Sequence, residues 1–161
     1  MIMNRSRRVF LTTFLASLFS PALARAQRPV YFQKSRLAID TRRGRKNFDV
    51  ELAVTDEQQS RGLMFRHSLA PDAGMLFDYR FPQRITMWMR NTLIPLDMIF
   101  IGSDGRVINT VQRTIPHSEA IIASKGRARA VLEVNGGTAE RLGIKPGAMV
   151  FHQIFGNTPS P

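Results

Sequence analysis

From Phe48 to Val54 apolar and polar residues alternate with a period of two, the pattern of a strand with one face buried and the other wet. The other apolar runs are as short, and turn residues close most of them, so the chain is suited to many short strands and to little helix. Leu37 to Ile39 pairs with the Phe48 to Val54 run as a hairpin around a basic turn centred on Gly44. Further strands are expected at Gly74 to Tyr79, Ile85 to Met89 and Asp97 to Gly102. Ser103-Asp104-Gly105 turns the last of these into Arg106 to Gln112. Ala130 to Val134 and Met149 to Phe155 complete the set. Thr55 with Gln58 three residues on reads as a capping box, and Gly62 as a stop, which gives a helix of about two turns. A second short helix is expected from a Thr138 cap to Leu142, ended by Gly143. The fold class expected is mostly β (α+β): a compact, barrel-like antiparallel sheet with two short helices.

The first 26 residues carry a different signal. Arg5, Arg7 and Arg8 precede an apolar run from Val9 to Phe19, and Ala24-Arg25-Ala26 ends in small residues, the order of a cleavable export signal. Ser6-Arg7-Arg8-Val9-Phe10-Leu11 resembles the twin-arginine consensus, the alternative being a general secretory signal whose arginines are merely positive. The apolar run is too short to cross a bilayer, which takes about 20 residues. Cleavage near Ala26 would leave one domain, residues 27–161, periplasmic and without a transmembrane span. Losing four arginines lowers the formal charge from +11 to +7. Arg36, Arg42, Arg43, Arg45 and Lys46 crowd one segment with no aromatic interleaved, so no stacking pattern for nucleic acid is present. That segment suits either an anionic envelope component or a solvated hairpin tip. With no cysteine, neither disulfides nor thiolates are available, and about 135 residues suffice for one apolar core.

Gly62-Leu63-Met64-Phe65-Arg66, Gly74-Met75-Leu76-Phe77, Trp88-Met89-Arg90-Asn91-Thr92-Leu93-Ile94-Pro95-Leu96-Asp97 and Val131-Leu132-Glu133 resemble the motifs of the domain of unknown function 192 family. The resemblance runs from about Val50 to Val150. Members usually carry Gly-Asp before the last strand, where this chain has Gly147-Ala148. The family implies a fold and a motif, and no assigned activity or cofactor.

Chemistry must therefore be sought in the residues. His67, His117 and His152 show no metal-ligand spacing, and no nucleophile elbow, phosphate-cradling loop or dinucleotide fingerprint occurs. What remains is a set of acids embedded in apolar strands, where an unpaired charge is costly. These are Glu51, Asp97 and Glu133. Asp97 should share a face with Ile99 and Ile101, and Glu133 with Val131. Converging with Arg61 or Arg66, they could hold a polar ligand or act as an acid-base pair; alternatively each fixes a turn or pairs with an arginine. Asn91-Thr92 beside Trp88 is either a ligand-facing polar break or a plain turn. Met64, Met75 and Met89 form a weaker Cu(I) alternative, set against core packing. The candidate site is thus Glu51, Arg66, Trp88, Asn91, Thr92, Asp97 and Glu133. The expected function is a non-catalytic binding domain for a small polar ligand or an envelope component, with a carboxylate enzyme acting on an envelope polymer and a Cu(I) protein as alternatives.

Overall fold

A computed structural model describes residues 29–158, so the leader expected at 1–26 lies outside the described residues. The first hairpin joins β1 (Gln33–Thr41) to β2 (Gly44–Ala53) in unbroken antiparallel register, with Thr41 opposite Gly44. Gly44, at φ +89°, takes a conformation that a side chain disfavours, and Thr41 Oγ1 braces the turn by donating to its carbonyl (2.7 Å). The basic segment lies on this hairpin's wet face, where Arg36 pairs with Asp49 and Arg45 with Asp40, both pairs exposed.

Helix α1 (Asp56–Arg61) forms as its ends dictate. Thr55 Oγ1 accepts from Gln58 N–H, Gln58 Oε1 accepts from Thr55 N–H, and Gly62 N–H closes on the Gln58 carbonyl. The helix carries the chain over to β3 (Ala73–Gln83), which pairs with β2 in parallel, the one parallel ladder among the described residues of an otherwise antiparallel sheet. β5 (Leu96–Ile101) turns into β6 (Val107–Val111), and β8 (Ala128–Asn135) inserts between β5 and β3. The sheet order is β6-β5-β8-β3-β2-β1-β9, with β9 being Val150–Phe151. Its two edges meet: Arg106 bridges to Met149, and Val107 N–H donates to the Ala148 carbonyl (2.9 Å). The sheet therefore curls into the barrel-like form expected. β4 (Thr86–Met87) and β7 (Ile122–Ala123) form a separate two-stranded ribbon.

Both faces of the middle strands are covered, and all six residues of β5 are buried. The inner face packs Ile39, Phe48, Val50, Leu76, Ile99 and Leu132 with α2 (Thr138–Leu142). The outer face packs Leu63, Met75, Phe77, Met89, Met98 and Phe100 beneath α1 and the loops around β4. No helix among the described residues is long and apolar enough to cross a membrane.

Three local expectations need correction. The last strand stops at Phe151, and Gln153–Phe155 is a 3-10 turn, begun by His152 Nδ1 accepting from Ile154 N–H. Only Thr86–Met87 of the Ile85 to Met89 run is strand. Thr138 is not the cap of α2: Gly137 holds that position at φ +88°, and the capping oxygens come from Asp97.

Candidate ligand-binding cleft

On β8, Glu133 stands opposite Met75 of β3 and Met98 of β5, so its side chain leaves the sheet on the outer face. The strands are close here because residue 74 is glycine; a Cβ there would lie 2.7 Å from the Glu133 carbonyl oxygen. Above Glu133 opens a cleft of about 510 Å³. Phe77 and Tyr79, alternate residues of β3, form one wall, and α1 with its exit loop forms another through Gln59, Arg61 and Met64. Met87, Trp88, Thr92 and Ile121 complete the rim. Fixed contacts hold these walls. Gln59 Nε2 donates to the Asp78 carbonyl (3.0 Å), Phe65 N–H to the Asn91 carbonyl (2.9 Å), and Tyr79 Oη to Met87 Sδ (3.4 Å).

The electrostatics of the cleft centre on Glu133, which is 4 % exposed. Among the described residues no donor or cation reaches its carboxyl, and burial alone pushes it up to about 8. At neutral pH it is therefore mostly the neutral acid, presenting an O–H and a carbonyl oxygen to the cleft. Burial, followed by the charge of Glu133, pushes the Tyr79 phenol up to about 12. The other acids in the sheet are partnered. Asp78 meets Arg129 (3.3 Å) and the Arg80 N–H (2.8 Å). Glu51 is gripped by both guanidinium nitrogens of Arg66, one at 3.1 Å. Asp97, fully buried, accepts the backbone N–H groups of Arg113 (2.8 Å), Gly137 (2.9 Å) and Ala139 (2.7 Å).

The structure thus divides the residues singled out in the sequence. Trp88, Thr92 and Glu133 line the cleft. Glu51 and Arg66 satisfy one another beside it, and the Arg66 guanidinium lies 5.9 Å from the Phe32 ring centroid. Asn91 shapes a turn at φ 55°, a left-handed conformation that asparagine tolerates, and its carbonyl ties down the α1 exit loop. The expected convergence of Asp97 with Glu133 is overturned. Asp97 stands opposite Val134 and shares the inner face with Ile99, whereas Glu133 shares the outer face with Val131. The acid-base pairing of the enzyme alternative is therefore absent. Of the three methionines set apart for copper, Met64 reaches the cleft; Met75 and Met89 are fully buried, and Met89 Sδ accepts from Thr114 Oγ1 (3.1 Å). Phe77, Tyr79, Gln59 and Ile121 also line the cleft and were not anticipated as site residues. The period-two set Met75, Phe77, Tyr79 was the available signal for the first two.

A model of the DUF192 family, described as "Uncharacterized ACR", matches residues 38–152, which include every residue lining the cleft. The chain belongs to the DUF192 family. Two solved structures are similar to it. One is a candidate transcription regulator from Sinorhizobium meliloti, 44% identical, covering 78% of this chain and 98% of its own, with a TM-score of 0.75. The other is a protein of unknown function from Novosphingobium aromaticivorans, 41% identical, covering 89% of this chain and 100% of its own, with a TM-score of 0.74. No curated protein matches this DUF192 chain.

Proposed function

We propose that this DUF192 domain is an exported, non-catalytic binding domain whose ligand occupies the cleft beneath α1. The observation that carries the reading is Glu133, a side chain 4 % exposed whose carboxyl opens onto the floor of an aromatic-walled cleft and has no protein partner among the described residues. Arginines pair with Asp78 and Glu51, backbone N–H groups surround Asp97, and among the described residues this acid is left to whatever enters. Apolar walls with one polar group at the base suit a small ligand with an apolar body and one polar end. Acid-base catalysis by Asp97 and Glu133 together is disfavoured because the two lie on opposite faces of the sheet. Export is supported by the leader pattern of residues 1–26.

Native mass spectrometry of the domain purified from its host's envelope fraction tests the reading. Wild-type protein should carry a small-molecule adduct, with an N-terminus at Gln27. Ser60→Trp, which places an indole at the cleft wall, and Glu133→Gln should both lose the adduct while melting within a few degrees of wild type at pH 5. An adduct retained by both variants would sink the cleft as the site, and an intact leader in the purified protein would sink export.

A further inference from the structure

We propose that the cleft selects a cationic ligand, a protonated amine on an apolar body, whose ammonium group pairs with Glu133 between the rings of Tyr79 and Trp88. The inference rests on the cleft being a ligand site, and it adds the chemistry of the ligand's polar end.

Three features of the site argue for a cation. Glu133 has no donor of its own among the described residues, so an anion entering here would meet a carboxyl rather than a donor array. An ammonium would supply the missing charge and up to three N–H donors. The walls are also suited to a cation. Phe77, Tyr79 and Trp88 line the space over Glu133, and aromatic faces attract ammonium groups strongly once water is excluded. Finally, the fixed charges at the mouth offset one another. Asp56 and Arg61 both line the α1 side, and the Arg61 guanidinium stacks 4.7 Å from the Phe65 ring centroid. The formal charges of Asp56 and Arg61 are opposite and sum to zero, so among the lining residues ionised Glu133 sets the net sign of the cleft.

Pairing is linked to a proton. Glu133 must ionise to pair with the ammonium, so each ligand bound below pH 8 displaces the acid's proton. The titratable groups that share the cleft with Glu133 are Tyr79 from β3 and Asp56 and Arg61 from α1, the Glu51–Arg66 pair stands two strands away across Met75, and no histidine is among the described residues lining the cleft.

Trp88 is the only tryptophan of the chain, so its emission reports on the rim directly. The mature domain is titrated with 2-phenylethylamine, or with 2-phenylethanol as the uncharged isostere, at pH 6, 7 and 8. The amine should bind saturably, about tenfold more tightly for each pH unit between 6 and 7 and levelling near 8, since only the ionised acid pairs. Alkylamines stay protonated throughout this range. Glu133→Gln should weaken the amine at least tenfold at pH 8 and by a larger factor than it weakens the alcohol, and a cooperative urea transition shows that the variant is folded. Amine affinity that is flat with pH in the wild type, or equal binding of amine and alcohol, overturns the cation inference and leaves the cleft intact as a site. No saturable response to either probe overturns both.

Discussion

Glu133 places a carboxyl where little water reaches it, and the consequence is a stability that depends on pH in a direction unusual for an acid. Its value rises from 4.5 in the open chain to about 8 in the fold, so between those limits the folded state binds the extra proton. The neutral acid's contribution is fully present below pH 4.5 and is lost as pH rises through 8, a penalty of roughly 4–5 kcal/mol once both states are ionised. Glu133→Gln removes the titration. Urea unfolding should find the variant within about 1 kcal/mol of wild type at pH 5 and more stable by several kcal/mol at pH 9. Equal stability of the two at pH 9 would show that the carboxyl is solvated. In the sequence Glu133 and Asp97 give the same signal, an acid flanked by apolar residues. What separates them is the position of Arg113, Gly137 and Ala139, whose N–H groups surround Asp97. Nothing local to residue 97 specifies that meeting.

At the scale of elements, boundaries follow the sequence where the governing contacts are near in the chain. The box of Thr55 and Gln58 and the stop at Gly62 define α1 as read, because all the partners lie within a few residues. Helix α2 was located correctly, but its cap was misassigned because the capping oxygens come from a strand about 40 residues earlier. Asp97 there does for Gly137 and Ala139 what an N-cap side chain ordinarily does. Asp97→Ala would leave one buried and two part-buried N–H groups without their acceptor and should cost about 2–4 kcal/mol in unfolding free energy, with Asp97→Asn intermediate. A loss below about 1 kcal/mol in the alanine variant would contradict the capping role. The final strand was read too long for a related reason. Its composition suits a strand, but β1 offers it only Ala38 and Ile39 to pair with, and His152 starts a turn.

At the scale of the whole molecule, the curled sheet separates scaffold from site. The inner face is closed by the bridge between Arg106 and Met149 and filled with aliphatic side chains, and Asp97 belongs to that side. The outer face of the same strands is roofed by α1 and the β4–β7 ribbon, and the cleft opens where that roof is incomplete. Period-two alternation predicts which residues share a face. It does not say which face is covered by what, so the strands were legible and the cleft was not. The site depends on one carboxyl, on a side chain 4 % exposed and unpartnered among the described residues, being neutral on that outer face. The measurement that tests this most directly is a carbon-13 NMR titration of the Glu133 side-chain carboxyl in the ligand-free domain, assigned by its absence in Glu133→Gln. A midpoint near 8 is the result predicted; a midpoint between 4 and 5 would mean that water or a protein donor already serves the group, and the cleft would lose the feature that makes it a site.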